Sequence, residues 1–425
     1  MRQLNAASVI AWPSGVDRRG GLWLLSISAT LFVLMLPASS YIAAIPDIKT
    51  EWGLNNSQAG LVFSAFLAGY AASALLILPL TDRLQPRHIF VGSAVISVVA
   101  HILFPLLAQG MLTGILVRAV AGVGLLGMYM PGLRIVSERF SQQGRGLAIG
   151  LFVTAQYFAN SASLAATGAL MAKFDWEEAY LLMALGSAAG LPLAYLLVRR
   201  HRTEPGLTAT GRIDLTVLRN AATRYLIFGY SLHAAVLFAV RVWLPAFLVA
   251  VLVGRGVGDD AAIVKAATYG GLALTVGSLG PVMGGLISDR WGRPTSAAAI
   301  FALSGACSWL IGWTGDFPWP LIVAIAVVYG WAIAADSAIY STGVTEVAKP
   351  DRLGSTMAVQ AFMGLLGGIV GPILMGLVLD VTDDSFRWGF SSLGVVALVA
   401  IAALLRLRYL ERTDGIVRKP SGRAS

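Results

Sequence analysis

The sequence predicts an all-α integral membrane protein: twelve transmembrane helices arranged as two similar six-helix bundles. Three observations lead there. Of 425 residues, 57% are hydrophobic and only 12% are charged, about half the ~25% charge of soluble domains. Mean hydropathy is +0.74, too apolar for a chain that must cover itself in water. Apolar stretches also recur at the ~20-residue length that crosses a bilayer, in two sets of six.

The first set falls near residues 22–45, 57–80, 88–108, 111–134, 147–171 and 178–198. The second falls near 223–252, 262–287, 295–314, 319–343, 356–380 and 387–408. Between them, 199–222 is the longest polar stretch, with Arg199, Arg200, Arg202, Glu204 and Pro205. The expected organisation is a tail (1–21), a six-helix half (22–198), a linker (199–222), a second half (223–408) and a second tail (409–425). With both termini on one side, that side's segments hold 24 of the 31 lysines and arginines, and the opposite loops hold five. Basic residues mark the cytoplasmic side, so both termini are expected in the cytoplasm and the chain in the cytoplasmic (inner) membrane. Arg18 and Arg19 precede the first stretch as they would a signal peptide, but its length and the eleven stretches that follow favour a retained helix.

The two halves carry matched loops. Asp82-Arg83 follows the second stretch, and Asp289-Arg290 follows the eighth, 207 residues later. Glu138 and Arg145 recur as Glu346 and Arg352 at offsets of 208 and 207. A duplicated half places a cavity at mid-depth between the copies.

The run Gly285-Leu286-Ile287-Ser288-Asp289-Arg290-Trp291-Gly292-Arg293 resembles the loop signature G-x-L-a-D-R-x-G-R of the major facilitator superfamily. The earlier copy, Leu78 to Arg87, keeps Asp82 and Arg83 but has Leu78 and Gln85 where glycines are usual. Arg118-Ala119-Val120-Ala121-Gly122-Val123-Gly124 looks like that family's fourth-helix motif R-x-x-x-G-x-G. Gln156 to Asn160 stands where many of its drug antiporters carry Gly-Pro. The resemblance covers nearly the whole chain. It implies alternating-access transport and a cytoplasmic charge network of Asp82, Arg83, Glu138 and Arg145 with Asp289, Arg290, Glu346 and Arg352. Asp82 and Asp289 would each face the positive N-terminus of a helix in the other half.

Several chemistries are excluded. One cysteine, Cys307, permits no disulfide framework, and the four histidines are scattered, so no metal site is expected. None of the five lysines completes a phosphate-binding G-x-x-x-x-G-K loop. Gly122 to Gly127 does spell G-x-G-x-x-G, but within an apolar helix it reads as close helix packing. No cofactor, no enzymatic role and no nucleic-acid partner is expected; the partners are a small solute, protons and the lipid bilayer, with the chain acting as a monomer.

Charges inside the membrane are costly and call for a reason. Arg118 lies sixteen residues before Arg134, hence ~24 Å from the inner end of its helix. Tyr129 falls near the same face. Arg241 lies seventeen residues after Arg224; it either faces the cavity or snorkels to the outer headgroups. Asp336 is the one acidic residue placed within a span, on a stripe with Tyr329 and Tyr340. It is the candidate proton carrier, while His233 reads as a hydrogen-bonded core histidine. Gln156, Asn160, Ser163 and Thr167 form one polar face, and Ser26, Thr30, Pro37 and Tyr41 a similar line. The resemblance puts both helices beside the central cavity.

Arginines 118 and 241 against one aspartate leave the interior positive, so an unpaired arginine suits an anion. The expected function is proton-coupled transport of a small solute, an organic anion by this charge balance. Exporters of drugs or neutral metabolites, and a non-transporting sensor or scaffold of the same fold, are the alternatives.

Overall fold

The computed structural model describes residues 18–80, 84–140, 142–201, 215–349 and 352–414. Among the described residues every regular element is helical. The first half contains α1 (Arg18–Leu34), α2 (Ser40–Trp52), α3 (Asn56–Leu80), α4 (Pro86–Leu107), α5 (Met111–Arg139), α6 (Gln142–Met171), α7 (Trp176–Ala188) and α8 (Gly190–Val198). A short 3-10 helix, Leu215–Arg219, leads into the second half. There follow α9 (Ala221–Gly254), α10 (Asp259–Gly277), α11 (Gly280–Trp291), α12 (Arg293–Ile311), α13 (Trp319–Ala335), α14 (Ser337–Val347), α15 (Leu353–Val381) and α16 (Phe386–Asp414). Among the described residues ten stretches are long and apolar enough to cross a membrane, counting α7–α8, α10–α11 and α13–α14 as continuous rods.

The expected first span, 22–45, is broken. Residues 35–39 leave the helix around Pro37, which has no N–H to give to a helical ladder. Residues freed by the break find partners on α6. The Ser39 backbone N–H donates to Ser163 Oγ at 2.9 Å, Ser39 Oγ donates to Asn160 Oδ1 at 3.2 Å, and Ser40 Oγ lies 2.7 Å from Thr167 Oγ1. Three of the four residues in the polar stripe read as cavity lining thus hold a helix break together.

Glycines set the closest helix approaches. A Cβ on Gly122 would sit 1.9 Å from the Phe66 carbonyl oxygen, and one on Gly124 would sit 2.6 Å from the Ser97 nitrogen. The glycines after Arg118 therefore seat α5 against α3 and α4, as the packing reading of G-x-G-x-x-G requires.

The rods define two faces. One, the basic face, holds Arg87, Arg134, Arg139 and Arg199 beside the start of α1, where Trp23 Nε1 donates to the Leu197 carbonyl at 3.1 Å. Arg293 and Arg352 lie at the same end of the second half. At the far face α2 ends, α3 begins and α15 ends. There the halves meet: Asn56 N–H donates to Asp380 Oδ1 at 2.7 Å and Ser57 N–H to Asp380 Oδ2 at 3.0 Å. Deeper in, Ser64 Oγ donates to the Ile369 carbonyl at 2.7 Å, and Gly168 of α6 packs on Ala267 of α10. Between described residues, the hydrogen bonds joining the halves all lie in this far portion.

Candidate functional site

Held together at the far face, the halves enclose a cavity of about 660 Å³ that extends toward the basic face. It runs from Met35 and Arg241 to Gly150, Ser341 and Ala361, with walls from both halves. Gln156 and Asn160 line it, and so do Tyr157, His233, Arg241 and Ser337.

Arg241 points into this space rather than toward headgroups. Its guanidinium carbon lies 5.7 Å from the Tyr157 ring centroid, contributed by the other half, and 5.4 Å from that of Phe238. Its Nε has no hydrogen-bond partner, and among the described residues no carboxylate pairs with it. Ring faces attract the cation but accept none of its directed N–H bonds. The residue is a cation with unfilled bonding capacity facing an open volume.

Two turns below on the same helix, His233 meets Asp336. Nδ1 of the histidine lies 2.7 Å from Oδ1 of the aspartate, with His233 3% and Asp336 2% exposed. Ser337 Oγ lies 3.0 Å from His233 Nε2; the approach of Nδ1 to Asp336 is a close charge contact, and Oδ1 has no hydrogen-bond partner among the described residues. Tyr230 stacks on the imidazole at 5.7 Å, and Tyr340 tilts against it at 5.9 Å. Tyr340 is fully buried, and its hydroxyl has no hydrogen-bond partner among the described residues. The reading of His233 as a core histidine misses this pairing.

Asp336 lies within one membrane-length stretch, Trp319–Val347, as a one-residue interruption of it. It separates α13 from α14, and the stripe assumed through it divides. Tyr329, above the break, bonds Ser308 and packs on Phe390, whereas Tyr340, below it, faces α9. Only the lower tyrosine adjoins the buried pair.

Other expected cavity residues lie elsewhere. Arg118 is 1% exposed and sits among the rings of Tyr41, Phe63 and Phe66 at 5.0, 5.9 and 4.6 Å. It is held inside the first half, outside the cavity wall, because the glycines beside it draw α5 onto α3. Tyr41 donates to the Ala59 carbonyl at 2.9 Å and Thr30 to the Ser26 carbonyl at 2.8 Å, so both are internal to the first half. Tyr129 stacks on Phe152, with centroids 6.1 Å apart.

On the basic face, Asp82 and Arg83 fall outside the described residues. Glu138 bonds Arg134 at 2.8 Å and His201 at 3.0 Å. Asp289 and Glu346 both bond Arg293, at 2.6 and 2.8 Å, so Arg293 and not Arg290 is the hub. Arg290 and Arg145 are exposed, and Arg352 donates to Thr216 at 2.9 Å. In this conformation Asp289 pairs within its own half, not with a helix N-terminus of the other.

Comparison with known proteins matches this architecture. A hexuronate transporter of Bacillus subtilis (strain 168) is 24% identical over 410 residues, covering 91% of this chain and 93% of that protein. A gallate transporter of Pseudomonas putida is 26% identical over 433 residues, covering 90% and 91%. The crystal structure of a bacterial homologue of the human lysosomal transporter Spinster superposes with a TM-score of 0.78 at 16% identity. It covers 96% of this chain and 100% of that one. The family model for the Major Facilitator Superfamily matches residues 27–331 and 266–424. The chain is therefore a multi-pass membrane transporter, not an enzyme, and belongs to the Major Facilitator Superfamily.

Proposed function

We propose that the protein is a secondary active transporter that moves a small organic carboxylate across the cytoplasmic membrane, coupled to protons, by alternating access. Twelve spans form two six-helix halves: the ten long apolar stretches together with α1–α2 and α3. The basic face is cytoplasmic, both termini are on that side, and the chain works as a monomer. In the conformation described here the cavity faces inward.

The observation that carries the reading is Arg241: an arginine without a carboxylate partner, facing a cavity between the halves. A buried cation in low dielectric is stabilised by an anion that fills its fork. The substrate carboxylate takes that position, and because Tyr157 comes from the other half, the bound ligand touches both. The names of the relatives, hexuronate and gallate transporters, are also those of carboxylate carriers. Proton coupling runs through the His233–Asp336 pair. Protonating it raises the positive charge of the cavity and strengthens anion binding, which links proton to anion as symport. The pair lies at the break between α13 and α14, where a change in charge alters how the two segments pack on α9.

Uptake into proteoliposomes tests this. Arg241→Gln is expected to weaken carboxylate binding about 10- to 100-fold, the scale of one charge-assisted bidentate contact. Asp336→Asn is expected to abolish pH-driven accumulation while leaving exchange of substrate across the membrane. Equal affinity in wild type and Arg241→Gln refutes the anion site; unchanged proton-driven uptake in Asp336→Asn refutes the coupling.

A further inference from the structure

We infer that the cavity selects a monocarboxylate with a flat, apolar body, an aromatic carboxylate, over dicarboxylates and polyhydroxylated sugar acids. This rests on the carboxylate reading above and narrows it by what the cavity walls offer.

The first ground is the number of anion anchors. Arg241 is the only lysine or arginine among the described residues that line the cavity. The other basic group, His233, cannot serve as a second anchor, because Nδ1 faces Asp336 at 2.7 Å and Nε2 faces Ser337 at 3.0 Å. Asp336 also brings negative charge to that end. A ligand seated on Arg241 with a second carboxylate reaching toward His233 would approach Asp336, and like charges in a low-dielectric site repel strongly. One carboxylate is matched and a second is opposed.

The second ground is the wall. Around Arg241 the surfaces are ring faces and branched aliphatics: Tyr157, Phe238, Phe66, Leu67, Leu125 and Leu237. Phe238 itself leans on Phe63, with centroids 6.4 Å apart. Three of the polar side chains that line the cavity, Asn160, Ser278 and Ser341, are engaged by the protein, which leaves Gln156, Thr154 and the hydroxyls of Tyr70, Tyr157 and Tyr230 as the uncharged partners it offers. Asn160 uses its amide on the Gln156 carbonyl and its oxygen on Ser39. Ser278 donates to the Thr275 carbonyl and Ser341 to the Ser337 carbonyl. A sugar acid would bring a hydroxyl on nearly every carbon into this space, and each hydroxyl left without a partner there costs binding. An aromatic ring exposes none along its body. It can stack between Tyr157 and Phe238 in the offset or edge geometry such rings prefer, with its carboxylate on Arg241.

A two-by-two panel tests both grounds on the purified wild-type protein: benzoate, terephthalate, glucuronate and glucarate, with benzamide as the neutral control. Benzoate is expected to bind about tenfold or more tightly than each of the other three, and benzamide not measurably. In Phe238→Ala the preference for benzoate over glucuronate is expected to shrink several-fold, while the preference for benzoate over terephthalate persists. Terephthalate binding as tightly as benzoate overturns the single anchor. Glucuronate or glucarate binding as tightly as benzoate, and lost in Arg241→Gln, overturns the aromatic body and leaves the anion reading standing. No binding of any of the four, or binding of benzamide equal to benzoate, overturns the anion reading and this inference with it.

Discussion

At the far face, two carboxylates of the second half, Asp380 and Asp384, bond the first half; at the basic face, among the described residues, the carboxylates bond on their own side of the chain. Asp380, at the end of α15, accepts from the first two backbone N–H groups of α3 and from the Asn56 side-chain amide at 3.0 Å. Lys49, from α2, lies 4.0 Å from Asp384 of the second half. On the opposite side, Arg293 gathers Asp289 and Glu346 from its own half, and Glu138 gathers Arg134 of its own helix and His201 at the start of the linker. The type of bond differs as well. Asp380 caps free N–H donors at a helix start, where the peptide dipoles favour an anion. The basic-face pairs are side chain to side chain and partly solvated, so each contributes little. Among the described residues, one face is thus closed by a directed contact across the halves, and the other shows side-chain pairs only within each side.

The largest test of that contrast is Asp380→Ala. Loss of a helix-capping carboxylate costs about 1–2 kcal/mol, here charged entirely against the closed far face. The ratio of closed to open far face is expected to fall about 5- to 30-fold. A cysteine placed at Ser64, between α3 and α15, with Cys307 replaced by serine, reports this by reaction with an impermeant thiol reagent. Labelling no faster than in the Asp380 parent would remove the cap from the account.

A smaller effect is expected from Arg293→Gln. Two partly exposed ion pairs are lost, each of the ~0.2–1 kcal/mol class, so thermal stability drops slightly while labelling at Ser64→Cys stays at the parent rate. Labelling raised as much as by Asp380→Ala would mean that Arg293 acts across the halves and would break the comparison.

The smallest effect is a pH dependence at the far face itself. Burial raises the Asp47 carboxyl above its usual value of 3.8, and the neighbouring charges of Asp260, Asp175, Asp259 and Glu51 raise it further. Asp259 and Asp260 begin α10 in the second half, so their repulsion opposes closure. A raised carboxyl takes up its proton in the closed state first, so closure strengthens as pH falls through that raised value and weakens above it. Asp47→Asn is expected to slow Ser64→Cys labelling at neutral pH and to match the parent below the ordinary carboxylate range. A constant difference at all pH values would contradict this.

Much of the site was legible one residue at a time, and less of it as a constellation. Arg241, Asp336, Gln156 and Asn160 stand out because a charge or amide within an apolar run demands a partner. What sequence spacing could not supply was the partner. His233 reads from its own helix as a hydrogen-bonded core histidine; the aspartate it meets arrives from a helix about a hundred residues away. Arg118 carries the same cost as Arg241, and both rest on aromatic rings with guanidinium nitrogens lacking partners among the described residues, but only Arg241 lines the cavity. Nothing local separates an arginine seated under Tyr41 and Phe66 from one facing a cavity, because the difference is made by which helices pack against each. The polar stripe of α6 divides for a related reason: Ser163 and Thr167 meet the broken segment at Ser39 and Ser40, while Gln156, further along, meets open space.

The sequence by itself determined the helical membrane architecture, the matched loops of its two halves and the short list of intramembrane charges. These follow from hydropathy over ~20-residue windows and from the price of charge in lipid, which act on the chain locally. Tertiary structure alone decided which charges meet, where the first and tenth predicted spans break, and which face of the molecule is closed. Those outcomes depend on contacts between residues tens to hundreds of positions apart, such as Asn56 with Asp380 and His233 with Asp336. Periodicity places a side chain on a face of its own helix, but only packing chooses what that face meets.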